Sequence, residues 1–168
     1  TKSCELHVVE AGETIRSGCF SVEFIHVNHS IADAFMFAIR TPIGTIMHSG
    51  DFKIAYTPLN GAIMDLPRIA QIGREGVLLF VCESTNIEVP GFSKSERHVG
   101  ESMADMFKDA KGRIFVATFS SNTSRLQQIF TAAERHGRKV ALVGRSMLNV
   151  FNAANNLGYI QKKPDTLI

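Results

Sequence analysis

The stretch that decides the reading is F-I-H-V-N-H-S-I-A-D-A-F-M-F-A-I-R-T-P-I-G-T-I-M-H-S-G-D-F-K, from Phe24 to Lys53. It holds two apolar, strand-like runs, and each ends in a polar group able to bind a metal ion. His29 follows the first run and Asp51 the second. A single histidine after a strand more often serves as a hydrogen-bonded loop residue, and an Asp after Gly more often makes a turn. Their placement at the ends of neighbouring strands changes the balance, because imidazole and carboxylate ligands can converge there. That pairing of donors suits zinc or manganese. Asp33, four residues after His29, is placed to orient the imidazole. His26 lies inside a strand and His48 precedes a turn, so both are weaker candidates.

Working outward, Glu5 to Val9 and Cys19 to Val27 read as strands separated by turn-prone residues. Phe20, Val22, Phe24 and His26 alternate with Ser21, Glu23 and Ile25, so one sheet face is expected to be covered more than the other. Ala34 to Arg40 and Thr45 to Met47 make a further pair about the turn at Thr41 to Gly44, which completes a β-meander. Asp65 to Gly73 reads as a short helix with Pro67 in its first turn. Val77 to Cys82 is a continuous apolar run, as expected of a strand covered on both faces.

Glu88 to Phe92 contains Pro90 and Gly91 and reads as a crossing between domains. Beyond it strands and helices alternate. Ser93 and Glu96 fit a capping box for a helix with Val99, Met103, Met106 and Ala110 on one face. Arg113 to Phe119 reads as a buried strand. Ser120 to Thr123 then caps a helix that buries Leu126, Ile129 and Ala133. Lys139 to Val143 is a further strand, and Ser146 opens a helix through Val150, Ala154 and Leu157. This alternation implies parallel strands with right-handed crossovers.

In such a layer, ligands meet the carboxyl ends of the strands. Glu83 to Asn86, Ser120 to Asn122, and Gly144 to Ser146 occupy those positions, and their hydroxyls, amides and backbone donors suit phosphate or a nucleotide edge. The same residue types also serve as plain helix caps.

Composition bounds the alternatives. The chain has 168 residues, 45% hydrophobic and 20% charged, with a net charge of +2. It is long enough to bury a core, and the small net charge supplies no strong field for nucleic acid or membrane. Cys4, Cys19 and Cys82 lack C-x-x-C spacing and read as buried, reduced thiols. No apolar run is long enough to span a membrane, and no signal-peptide pattern opens the chain, which fits a cytoplasmic protein. Thr1 stands where a methionine would begin, so a piece of a longer protein is expected.

V-N-H-S-I-A-D at Val27 to Asp33, S-G-D-F-K at Ser49 to Lys53 and C-E-S-T-N at Cys82 to Asn86 resemble, in this order, the metallo-β-lactamase-type nucleases of the β-CASP group. Within that group they are most similar to the bacterial ribonuclease J family. The resemblance continues through P-G-F-S-K-S-E-R at Pro90 to Arg97, G-R-I-F-V-A-T-F-S-S-N at Gly112 to Asn122 and G-R-S-M-L-N-V at Gly144 to Val150.

The resemblance implies an α/β fold: part of a metallo-β-lactamase αββα sandwich over residues 1–88, seen as the meander, followed by part of a β-CASP α/β domain with parallel strands over 89–168. It implies His29 and Asp51 as metal ligands, with Asp51 bridging two divalent ions. Zinc is the expected ion, with manganese or magnesium as alternatives. Asp51 and Glu83 are the implied catalytic residues, and Glu83 stands where aspartate is usual. Ser120, Ser121 and Asn122 match the stretch that contacts RNA. Ala32 replaces a common proline, and Ser124 replaces an expected histidine.

The implied activity is 5′-3′ exonucleolytic or endonucleolytic hydrolysis of RNA in ribosomal RNA processing and decay, by a cytoplasmic homo-oligomer with no membrane association. The family's H-x-H-x-D-H cluster and its later histidines do not occur in this chain. It is therefore expected to bind metal weakly and to be inactive alone. The competing expectation is a non-catalytic α/β module that binds a nucleotide or RNA, and a third is a structural part of a nuclease complex.

Overall fold

The computed structural model describes residues 5–59, 61–93 and 95–168, which form two compact units. Among the described residues, one comprises 5–29, 33–56 and 62–90; the other comprises 30–32, 57–59, 61, 91–93 and 95–168.

The first unit is built on a sheet of five strands in sequence order: β1 Thr14–Ser17, β2 Phe20–His26, β3 Phe35–Thr41, β4 Gly44–His48 and β5 Leu79–Val81. The first four pair antiparallel: β2 to β4 form the expected meander, β1 lies in the stretch expected to separate two strands, and β5 joins β4 in parallel. Antiparallel register places Ile25 opposite Met36, Glu23 opposite Ala38, and Ala38 opposite Met47. These residues share one face and are buried there with Met64 and Ile72. Ile72 comes from helix α1, Leu66–Glu75, whose first turn carries Pro67 and whose N-cap Asp65 accepts from the Arg68 N–H at 3.0 Å.

The covered face of β2 is the one carrying Glu23 and Ile25, although Phe20, Val22 and Phe24 are the more apolar set. On that opposite face Phe24 meets Phe35 and Phe37 edge-on at 5.6 and 5.5 Å, and the three rings stay half-buried. Glu23 is only 6% exposed and is matched by arginines. The Arg68 Nε and NH2 groups donate to its two oxygens at 2.6 and 2.8 Å, and Arg40 adds a third bond at 2.8 Å. Full pairing is what allows a carboxylate on the helix-covered face.

Several expectations are corrected in this unit. Glu5 to Val9 forms no strand. The run at Val77 to Cys82 narrows to the three residues of β5, and Leu79, Phe80 and Val81 are all exposed because β5 is the edge of the sheet. Cys19 and Cys82 are exposed, since one lies at the β1–β2 turn and the other just beyond the edge strand; Cys4 lies outside the described residues.

The second unit is helical: α2 Glu96–Asp109, α3 Thr123–Arg135 and α4 Arg145–Asn156. Its core is Met103 and Phe107 of α2, Leu126, Ile129, Phe130 and Ala133 of α3, Phe151 and Ala154 of α4, with Val140 and Ile160 from the connections. Met106 is 68% exposed and Phe107 takes its place in the stripe, because i, i+4 spacing from Met103 keeps to the buried face.

The caps also shift. Ser95, not Ser93, caps α2 by accepting from the His98 N–H, while α4 starts at Arg145 after Gly144, without a side-chain cap. Neither Arg113 to Phe119 nor Lys139 to Val143 forms a strand; the pairing found there among the described residues is a single parallel bridge, Val140 to Leu167. Phe115 and Phe119 are 92% and 85% exposed, so the first segment is not buried. Apolar sequence favours a strand only where a neighbour supplies the ladder.

Candidate metal and phosphate-binding residues

His29 follows β2 after Val27 and Asn28, and Asp51 follows β4 after Ser49 and Gly50. Because β2 and β4 flank β3 and run in the same direction, both loops emerge at one end of the sheet. The His29 Nε2 and an Asp51 carboxylate oxygen are 3.9 Å apart, with the side chains 31% and 73% exposed.

Three anchors hold these loops. The Asn28 carbonyl accepts from the Lys53 N–H at 2.7 Å, tying the histidine loop to the aspartate loop. The buried Ser49 is fixed through its N–H to the Val81 carbonyl at 2.9 Å, and its hydroxyl accepts from the Glu83 N–H at 3.0 Å. Gly50 adopts φ +58°, where a Cβ would lie 2.8 Å from the Phe35 carbonyl oxygen, so the turn that presents Asp51 requires glycine.

Glu83 follows β5 and points its carboxylate back at the same loop. It accepts from the Phe52 N–H at 3.3 Å and from the Thr85 N–H at 3.0 Å. Hydrogen bonding from the Thr85 side chain lowers its pKa most; burial opposes this, and the Phe52 and Thr85 amides and the nearby His29 lower it further. The Glu83 carboxylate is thus an acceptor that fastens the residue after Asp51. Asp33 sits exposed in the turn before β3 at φ 53°.

In the second unit, Ser120, Ser121 and Asn122 form the turn into α3 and are each partly exposed. Asn122 is the N-cap, its Oδ1 accepting from the Arg125 N–H at 2.9 Å, and the Ser121 carbonyl accepts from the Thr123 N–H at 2.9 Å. Two of the three residues therefore have one oxygen committed to the helix start, while the Ser120 and Ser121 hydroxyls and the Asn122 amide nitrogen are positioned by that commitment.

The structure thus joins His29, Asp51 and Glu83 in one loop cluster, and Ser120 to Asn122 in another. An imidazole nitrogen and a carboxylate oxygen bound tetrahedrally to one zinc ion lie roughly 3.4 Å apart, given bonds of about 2.1 Å. The observed 3.9 Å needs little adjustment. Among the described residues no group of three or more His, Cys, Asp or Glu side chains could hold a metal ion. The pair therefore fits a divalent ion as two of its donors. Sequence reasoning passed over Asn28 and Ser49 as site residues. The available signal was a small polar residue immediately before His29 and two before Asp51, too common a pattern to stand out without the fold.

Residues 111–168 match the family model described as "Ribonuclease J, beta-CASP domain". The chain is 50% identical over 163 residues to a protein named Ribonuclease J from Synechocystis, an alignment covering 96% of this chain and 25% of that protein. It is 45% identical over 144 residues to Ribonuclease J of Thermus thermophilus, covering 86% and 25%, and 42% identical over 160 residues to that of Mycobacterium tuberculosis, covering 95% and 29%. The chain thus spans about a quarter of the length of these curated relatives. A solved structure titled as a protein of unknown function from Enterococcus faecalis shares the fold at TM-score 0.64 and 19% identity, over 99% of this chain and 41% of that one. Over almost its whole length, which is about a quarter of theirs, the chain is thus similar to proteins named Ribonuclease J, and residues 111–168 match the β-CASP domain described for that family.

Proposed function

We propose that this chain is part of a metal-dependent ribonuclease that hydrolyses RNA phosphodiester bonds, acting from 5′ ends, internally, or both. The observation that carries the reading is its 50% identity over 163 residues to a protein named Ribonuclease J. In this reading residues 1–88 belong to a metallo-β-lactamase-like domain and 89–168 to a β-CASP domain. The match of residues 111–168 to the family's β-CASP model supports the second assignment.

The 3.9 Å approach of His29 to Asp51 supports the metal assignment, with His29 and Asp51 as ligands, two divalent ions in the full-length protein and zinc as the expected element. Bound there, divalent ions would ease deprotonation of water and neutralise charge on the reacting phosphate. The chain's own residues do the remaining work. Asp51 presents a mostly exposed carboxylate from a glycine turn, and Asp33 helps to orient His29. Glu83 keeps the Asp51 loop in place through the Phe52 amide, so its catalytic contribution is to hold that loop. Ser120, Ser121 and Asn122 offer short polar groups at a helix N-terminus, which suits phosphate oxygens of the RNA backbone. Backbone and 2′-hydroxyl contacts of this kind give low sequence preference.

A cytoplasmic role in ribosomal RNA processing and decay, in a homo-oligomer, belongs to the same proposal. No helix among the described residues is long and apolar enough to cross a membrane. The test is cleavage of 5′-labelled RNA by the full-length protein, with metal content measured in parallel. Near two ions per chain and loss of both metal and cleavage in Asp51→Ala are expected. Cleavage that survives Asp51→Ala would overturn the reading.

A further inference from the structure

Asn28 has a place in the loop cluster that its neighbours do not share. Its side chain meets the segment at 62–64, more than thirty residues away, with both halves of the amide: Nδ2 donates to the Ala62 carbonyl at 2.8 Å, and Oδ1 accepts from the Met64 N–H at 3.0 Å. The His26 ring Nε2 lies 3.0 Å from the same Ala62 carbonyl. Its main chain faces the other way, where the carbonyl accepts from the Lys53 N–H at 2.7 Å, two residues past Asp51. Met64 is itself buried in the core with Val27, 5% and 1% exposed, so the segment that Asn28 grips is anchored. Asn28 therefore joins three pieces of chain: the end of β2, the loop after Asp51 and the approach to α1.

His29 is the next residue, and its backbone position is set by the peptide that it shares with Asn28. A residue locked through its side chain on one side and through its carbonyl on the other leaves that peptide little freedom. The partners also fix the residue type. One backbone acceptor and one backbone donor must be met by adjacent atoms of one planar group, which a primary amide does and a carboxylate does not, having no donor. Groups behind the ligands set their orientation in metal sites, and here Asn28 would act through the backbone that carries His29.

We propose that Asn28 is a positioning residue: its clasp on the 62–64 segment and its carbonyl bond to Lys53 set the spacing between His29 and Asp51, and hence the affinity of the site for a divalent ion. The inference rests on the assignment of His29 and Asp51 as metal donors. It differs from an ordinary stabilising contact in what it controls, namely metal affinity and turnover in protein that remains folded.

The experiment uses the full-length protein and zinc, competed against a chromophoric chelator. Asn28→Ala removes both side-chain bonds, and Asn28→Asp keeps the shape and the acceptor but sets a carboxylate oxygen against the Ala62 carbonyl. Ile72→Ala, in the α1 core, is a matched destabilised control, and Asp51→Ala tests the donor pair itself. Both Asn28 variants should bind zinc about 10-fold or more weaker. They should lower kcat at saturating zinc with KM for RNA unchanged, and speed hydrogen exchange at the Lys53 and Met64 amides. Ile72→Ala should lower the unfolding midpoint yet, where folded, keep zinc affinity. If Asp51→Ala loses zinc while both Asn28 variants keep wild-type affinity and kcat, the positioning role is overturned and the donor pair stands. If Asp51→Ala itself retains wild-type zinc affinity, the donor pair is wrong and the positioning role fails with it.

Discussion

Replacing Glu23 by glutamine should remove much of the stability of the first unit and flatten its response to acid. Glu23 is 6% exposed and accepts three charge-assisted bonds, two from Arg68 and one from Arg40. Glu75 lies 3.8 Å from both arginines and completes the cluster. The Arg68 hydrogen bonds lower the Glu23 pKa from 4.5 to about 2; burial works against them, and Arg40 reinforces them.

At about 1.4 kcal/mol per pKa unit, that depression corresponds to roughly 3 kcal/mol of native-state stabilisation. The folded-state pKa is the lower one, so the contribution is complete above pH 4.5 and is lost as pH falls from there towards 2. At pH 3 about 1.4 kcal/mol should remain. Glutamine keeps one acceptor but turns an NH2 group toward a guanidinium, so Glu23→Gln should cost roughly 3 kcal/mol at pH 7, and the gap from wild type should narrow by about 2 kcal/mol at pH 3. Urea unfolding followed by circular dichroism at pH values between 7 and 2.5 measures both. A gap below about 0.5 kcal/mol at pH 7, or one that stays constant down to pH 3, would refute the assignment of Glu23 as a buried, arginine-locked carboxylate.

Two further substitutions test local geometry. Gly50→Ala places a Cβ 2.8 Å from the Phe35 carbonyl oxygen at φ +58°; it should cost about 1–3 kcal/mol in urea unfolding and weaken zinc binding by displacing Asp51. Asn122→Ala removes the α3 cap and should cost about 1 kcal/mol by thermal unfolding, whereas Asn122→Ser, which can still accept from the Arg125 N–H, should recover most of the loss.

The meander was legible because period-two alternation and the T-P-I-G turn are local signals, and register follows once the turn is placed. The helices were legible for a similar reason, though their caps moved by one or two residues, since several Ser and Asn side chains compete at each start. The Glu23 cluster was not legible. Its partners lie 17 and 45 residues away, and nothing local marks a strand glutamate as facing a helix.

The candidate site divides in the same way. His29 and Asp51 stood out as polar residues ending apolar runs. The bonds that place them, from Asn28 to residues 53, 62 and 64 and from Ser49 to Glu83, connect segments distant in sequence and emerge only when the chain is folded. The segment at Arg113 to Phe119 shows the converse. Its composition speaks for a strand, but a ladder is a property of two segments, and one segment's sequence cannot supply the other.

That unpaired segment bears on how the protein must be handled. R-I-F-V-A-T-F holds five residues of high β propensity, Ile114, Phe115, Val116, Thr118 and Phe119, with one charge and no proline, and its two phenylalanines stand almost fully in solvent. Backbone groups without a ladder beside exposed aromatic rings form a template on which a second copy can add itself edge to edge. The isolated chain is therefore expected to self-associate through this stretch as its concentration rises, and Phe115→Lys is expected to raise the concentration at which light scattering detects that association.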